Sequence, residues 1–155
     1  MNARKRRLDG RRVTLCVTGS IAAYKAVLLV RLLLAEGAHV EVVLSASASE
    51  FVGAATFAGL TGRPALGDMF DAARGGEIHV DLAKRSDLVL VAPATADALA
   101  RFASGRAEDL VSAVVLSSEC PVLAAPAMHP TKTSSPSSGD AIRSAGGSAG
   151  TGAAS

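Results

Sequence analysis

The chain has 155 residues, 49% of them apolar and 3% aromatic, with no tryptophan and a formal net charge of +2. That length supplies one domain whose core must be built from Val, Leu and Ala, and the scarcity of aromatics excludes base stacking as a grip on single-stranded nucleic acid. The longest apolar run, 26–35, is interrupted by Arg31 and falls short of the roughly 20 residues a membrane span requires.

Residues 1–12 carry Arg4, Lys5, Arg6, Arg7, Arg11 and Arg12 against a single carboxylate, Asp9. They are read as a basic, disordered N-terminus that aids solubility. No apolar stretch and cleavage site come after them, so no secretory leader is expected. The β-branched run 13–18 predicts a first strand, broken by Gly19 and Ser20. Residues 21–36 predict a helix rich in Ala and Leu, with Lys25 and Arg31 outward and Gly37 as its stop. Residues 40–44 predict a second strand, and the hydroxyl-rich loop 45–49 can cap the next helix. Glu50 and Phe51 open that helical segment, which continues through Phe57 and Leu60 to Gly62. Residues 63–78 read as irregular, and 80–85 as a short helix.

The run 87–92 is almost entirely apolar, as a strand buried on both faces must be, and Pro93 is expected to end it. Helices over 96–103 and 108–116 precede a last strand at 121–125, stopped by Pro126. Beyond residue 131 the composition shifts to Ser, Gly, Ala and Thr, with Ile142 the one strong apolar side chain. Such a segment cannot bury enough surface to offset its ordering entropy, so 131–155 is expected to be disordered. Two cysteines, Cys16 and Cys120, make no disulfide framework and suit a cytoplasmic protein with reduced thiols.

Alternating strands and helices predict an α/β fold: a doubly wound parallel sheet between two helical layers, Rossmann-like. Ligands in such sheets lie at the carboxyl ends of the strands. The first strand feeds its helix through Thr18, Gly19, Ser20, Ile21 and Ala22. A helix N-terminus offers unpaired N–H groups and partial positive charge to a phosphate. Gly19 permits a sharp turn and close approach, and Ser20 and Thr18 add hydroxyls. Neither the dinucleotide glycine pattern nor the Walker lysine is present, which favours a mononucleotide. Ser45, Ala46 and Ser47 at the end of strand two, and Pro93, Ala94, Thr95 and Ala96 at the end of strand three, complete a crevice where a flat ring could lie against the backbone. No metal-ligand grouping is read from the sequence.

The segment Val17-Thr18-Gly19-Ser20-Ile21-Ala22-Ala23-Tyr24-Lys25 resembles the opening motif of the flavoprotein family of FMN-dependent cysteine decarboxylases, of the phosphopantothenoylcysteine decarboxylase type. The resemblance continues at Ile78-His79-Val80-Asp81-Leu82-Ala83 and Asp87, at Val91-Ala92-Pro93-Ala94-Thr95-Ala96, at Gly105 with Asp109-Leu110, and at Ala125-Pro126-Ala127-Met128. It covers residues 13–130 in order. Ser86 stands where alanine is more usual. The resemblance implies a flavodoxin-like three-layer sandwich, FMN as cofactor with Ala127 among its contacts, and a homo-oligomer, typically a trimer or a multiple of it. It also implies decarboxylation of the cysteine moiety of 4′-phosphopantothenoylcysteine, a step of coenzyme A biosynthesis, or of a related cysteine substrate. His79 matches the catalytic histidine; imidazole can hold or release a proton near neutrality.

Two departures stand out. His129 comes after Pro126-Ala127-Met128 where the family has an asparagine that binds the substrate carboxylate, so Met128 and His129 are the substrate-side candidates. After that point the family's further helix, last strand and cysteine-bearing flap have no counterpart, which predicts a shifted reading frame or truncated gene near Pro130. The ligase domain of bifunctional relatives is not expected in 155 residues. Two other readings compete with the decarboxylase. One is a flavin prenyltransferase-like enzyme, disfavoured by Tyr24-Lys25 and the His79 motif. The other is a non-catalytic flavin-binding subunit or remnant lacking the flap.

Overall fold

The computed structural model describes residues 6–70 and 77–127. In chain order these form β1 (Arg12–Val17), α1 (Ala23–Ala35), β2 (His39–Leu44), α2 (Ala46–Ser49) and α3 (Ala54–Thr61). Next come α4 (Ile78–Arg85), β3 (Leu88–Ala94), α5 (Ala96–Ala103), α6 (Leu110–Ser117) and β4 (Val122–Pro126). The strands make one parallel sheet in the order β2-β1-β3-β4. The chain winds outward from β1 to β2, then crosses back to β3. The topological switch point therefore lies between β1 and β3, where open α/β sheets place ligands.

Alternation along each strand builds two cores. Val13, Leu15 and Val17 of β1 and Val40, Val42 and Leu44 of β2 pack with Ala23, Ala26, Val30 and Leu33 of α1 and Phe57 of α3. On the opposite face, Cys16, Val43, Val89 and Val91 meet α4, α5 and α6 through Leu82, Phe102, Val111 and Val114. Burying each such Val or Leu side chain contributes about 1.5–3 kcal/mol.

The structure corrects the sequence reading in four places. Residues 6–12, expected to be disordered, are docked: Leu8 N–H donates to Glu36 O at 3.0 Å and Gly10 N–H to Gly37 O at 3.1 Å. Arg7 pairs with Glu36, and β1 already begins at Arg12, whose N–H donates to Asp87 Oδ2 at 2.8 Å. These partners are distant in sequence, so composition alone could not reveal them. Second, β3 runs through Pro93 to Ala94. Pro93 lacks an N–H, but its carbonyl accepts from both the N–H and the hydroxyl of Thr18, and the β3–β4 register shifts between Val91 and Ala94 to accommodate it. Third, Leu66, in a stretch read as irregular, bridges the outer edge of β2 opposite Val43, with Leu44 N–H donating to Leu66 O at 2.7 Å. Fourth, α4 starts at Ile78, two residues before the expected helix, so His79 stands in its first turn. The predicted tail, 131–155, lies outside the described residues.

Asp109 holds α5 and α6 together. It caps α6 by accepting from Ser112 N–H at 2.8 Å and pairs with Arg101 of α5 at 2.9 Å. Burial alone would push its carboxyl up; the Ser112 N–H and the Arg101 guanidinium outweigh that and hold it below the ordinary carboxylate range. A carboxylate lowered on folding contributes stability above its unfolded pKa and loses it as pH falls through the folded one. Stability in urea is therefore expected to decline as pH drops below about 4. Asp109→Asn should be less stable at neutral pH and show a flatter acid limb. An unchanged acid limb in that variant would refute the assignment.

Candidate functional site

The carboxyl ends of the strands gather four loops around the switch point. The first, after β1, is the turn from Thr18 to Ala22. Ala23 N–H returns to Ser20 O at 2.8 Å and Ala22 N–H donates to Ser20 Oγ at 3.1 Å, so α1 begins two residues later than the sequence suggested. The backbone N–H groups of Gly19, Ser20 and Ile21 donate to no acceptor among the described residues. Three successive free donors just ahead of a helix N-terminus are available to an anion. Ser20 is half-buried and keeps its own O–H to donate; Ile21 is exposed.

Gly19 has a second role. A Cβ built on it would overlap Oγ and Cβ of Ser47 and reach 2.9 Å from that residue's backbone carbonyl carbon. Only glycine lets the first loop close against the second. That second loop is ordered by Ser45, which is buried and caps α2 by accepting from Ala48 N–H at 3.1 Å. The Ser45 and Ser47 hydroxyls are hydrogen-bonded at 3.1 Å, and Ala46 and Ser47 lie exposed at the rim.

The third loop comes after β3 and is tied to the first by Thr18. The Thr18 hydroxyl donates to Pro93 O at 2.6 Å and accepts from Thr95 N–H at 3.1 Å. Thr18 is fully buried, so its hydroxyl is consumed inside the protein rather than offered to a ligand. Thr95 in turn caps α5 through Ala98 N–H at 3.3 Å. Pro93 and Ala94 are buried, while Ala96 is exposed. In the fourth loop, Ala127 N–H donates to Ala94 O at 2.9 Å, carrying the end of β4 alongside β3. Met128 and His129 lie outside the described residues.

His79 approaches from another layer. At the far end of α4, Arg85 pairs with Glu41 near the start of β2, and Asp87 N–H donates to Arg12 O. A rise of about 1.5 Å per residue from there carries His79 roughly 9 Å toward the carboxyl ends of the strands. His79 is partly buried, and its Nδ1 is buried with no hydrogen-bond partner among the described residues. Native proteins leave few such atoms, because each costs about 1–3 kcal/mol. Cys16, by contrast, has no exposed surface; burial first, and the Asp109 charge second, push its thiol up to about 12. It is a protonated core residue, as its place within a strand suggested.

The structure thus brings Gly19, Ser20, Ile21, Ala22, Ser45, Ala46, Ser47, Pro93, Ala94, Thr95, Ala96 and Ala127 to one end of the sheet. The clamp from Thr18 to Pro93 and Thr95 escaped the sequence reading, which took Thr18 for a ligand donor. The one available signal was that a Thr at a strand end and a Pro-x-Thr at another can satisfy each other only across a parallel pair.

The flavoprotein family model matches residues 1–138. The chain is 52% identical over 119 residues to the coenzyme A biosynthesis bifunctional protein CoaBC of Mycobacterium tuberculosis (strain ATCC 25618 / H37Rv). That match covers 77% of this chain and 28% of the relative, so the chain spans less than a third of the relative's length. Among solved structures it resembles the FMN-dependent cysteine decarboxylase TvaF from thioviridamide biosynthesis, with a TM-score of 0.78 and 31% identity over 86% of this chain and 83% of that one. It also resembles a cysteine-to-serine mutant of PPC decarboxylase complexed with pantothenoylaminoethenethiol, with a TM-score of 0.68 and 25% identity over 78% and 69% of the two chains. Sequence match, sheet order and converging strand-end loops agree, and the chain belongs to the flavoprotein family.

Proposed function

We propose that this chain binds FMN in the carboxyl-end crevice and decarboxylates the cysteine moiety of 4′-phosphopantothenoylcysteine or a close relative of it. The observation that carries the reading is the free N–H triplet of Gly19, Ser20 and Ile21, pressed against Ser47 by the absence of a side chain on Gly19. Its chemistry fits the phosphate of a mononucleotide. Ser20 donates a hydroxyl to the same group, and Ser47 closes its other side. Pro93, Ala94, Thr95, Ala96 and Ala127 present small side chains and backbone groups to the ring. FMN bound there would supply a two-electron acceptor for oxidation of the substrate's cysteine side chain. His79 would hold and move the proton at the reacting cysteine, with its unpaired Nδ1 as the atom that substrate or a neighbouring group satisfies. Met128 and His129 are assigned to the substrate carboxylate, and residues 13–130 to the flavin-binding domain of a cytoplasmic enzyme.

The same reading includes self-association, as a trimer or a multiple of it. Tyr24, Leu28 and Leu32 succeed one another at helical spacing along α1, with Ile21 in the turn just before it; Ile21, Tyr24, Leu28 and Leu32 are 78, 55, 55 and 65% exposed. An apolar stripe of that length, starting at the phosphate loop itself, supports a subunit contact beside the cofactor.

The test is direct. The purified chain is expected to carry flavin absorbance and to release CO₂ from 4′-phosphopantothenoylcysteine. Flavin without turnover would instead indicate a binding-only protein. Prenyl transfer to the flavin in place of CO₂ release would indicate the prenyltransferase reading. Protein that takes up no FMN would overturn the assignment.

A further inference from the structure

A second polar site lies at the opposite end of the sheet, roughly 17–20 Å from the phosphate loop along a six-residue strand. In register, Arg12 of β1 stands beside His39 of β2, and Thr14 beside Glu41. All four share the sheet face that higher up carries Cys16 and Val43 into the core. Arg85, at the end of α4, and Arg63, just after α3, close over them around a cavity of about 270 Å³. Its lining thus holds three guanidinium groups and an imidazole against one carboxylate, Glu41.

Those guanidiniums have donors to spare. Glu41 takes one edge of Arg85 at 3.0 Å and a single long contact from Arg63 at 3.4 Å. Asp81, itself largely exposed, takes the other terminal nitrogen of Arg85 at 3.1 Å, leaving its buried Nε without an acceptor among the described residues. The Arg12 side chain has no ion-pair partner among the described residues. Each guanidinium offers five N–H donors in a planar fork that matches phosphate oxygens. The floor is polar but already satisfied: Ser86 donates to Leu82 O at 2.6 Å, so the buried Thr14 hydroxyl donates to Ser86 Oγ at 2.7 Å and the anion donors must come from the guanidiniums above it. The departure to Ser86 therefore completes a buried polar pair beneath the cavity.

We propose that this cavity is a second anion site, which takes the phosphate group of a small phosphorylated compound. Glu41 holds Arg63 and Arg85 in place when the site is empty and limits its affinity; Arg12 and Arg63 supply the free donors. The site is independent of flavin binding.

The test uses the full chain and inorganic pyrophosphate as the probe, titrated by calorimetry with and without excess FMN. With the phosphate loop filled by excess FMN, saturable binding of pyrophosphate is expected to remain. Arg12→Ala and Arg63→Ala, both on solvent-facing side chains, should each weaken it by about tenfold, the scale of losing one charge-assisted pair. Glu41→Gln should tighten it several-fold, a gain that a purely structural ion-pair network would not give. Absence of saturable binding once FMN is in excess, or affinity there unchanged in the folded arginine variants and Glu41→Gln, would overturn the proposal.

Discussion

Gly19→Ala is expected to reduce FMN affinity by about 100-fold and to destabilise the fold by about 1–3 kcal/mol, the range for forcing an extra methyl into a packed site. The added carbon overlaps the Ser47 side chain and lies 2.9 Å from its backbone carbonyl carbon. The Ser47 hydroxyl could rotate away, but its Cβ and backbone cannot move without disturbing the cap that Ser45 places on α2. Relief has to come from the first loop, which shifts the free N–H groups of Gly19, Ser20 and Ile21. Flavin content at purification and an FMN titration of the apoprotein read the effect. Ser47→Gly in the same chain removes most of the overlap and should restore part of the affinity. In a double-mutant cycle the two changes are expected to couple rather than add. Full FMN affinity in the single variant would show that the phosphate does not sit against this loop.

The parts of this fold that rest on local pattern could be read from the sequence. Four short apolar runs became four parallel strands, and Gly19, Ser45 and Thr95 were found at the strand ends where a crevice must form. What escaped reading depends on partners distant in sequence. Residues 6–12 look like a charged tail until Glu36, Gly37 and Asp87 are placed beside them. Pro93 looks like a strand terminator until Thr18, 75 positions away, supplies both of the donors its carbonyl accepts. The α1 leucines illustrate the same limit in reverse. Val30 and Leu33 are buried, yet Leu28 and Leu32 on the same helix face outward. Composition gave no sign that one side of an apolar helix would be left exposed. The basic cavity at the strands' amino ends was equally hidden, because Arg12, Arg63 and Arg85 meet only through sheet register and two helix ends.

His79→Asn is expected to lower the decarboxylation rate by about 10²–10⁴-fold, the contribution of a positioned acid or base, while FMN affinity stays within about twofold of the parent. None of the four loops that form the crevice contains His79, so cofactor retention should not depend on it. Stability should also change little. Histidine and asparagine have similar helix propensities, and no hydrogen bond of His79 Nδ1 to a described residue is lost. Asparagine still donates and accepts hydrogen bonds but cannot carry the proton. The variant therefore separates proton handling from shape and polarity. A parallel fall in FMN affinity and thermal stability would mean that His79 supports the fold of the crevice. Unimpaired turnover would remove it from the chemistry. Loss of rate alone, with bound flavin and an unchanged melting temperature, is the outcome that assigns the proton to this imidazole.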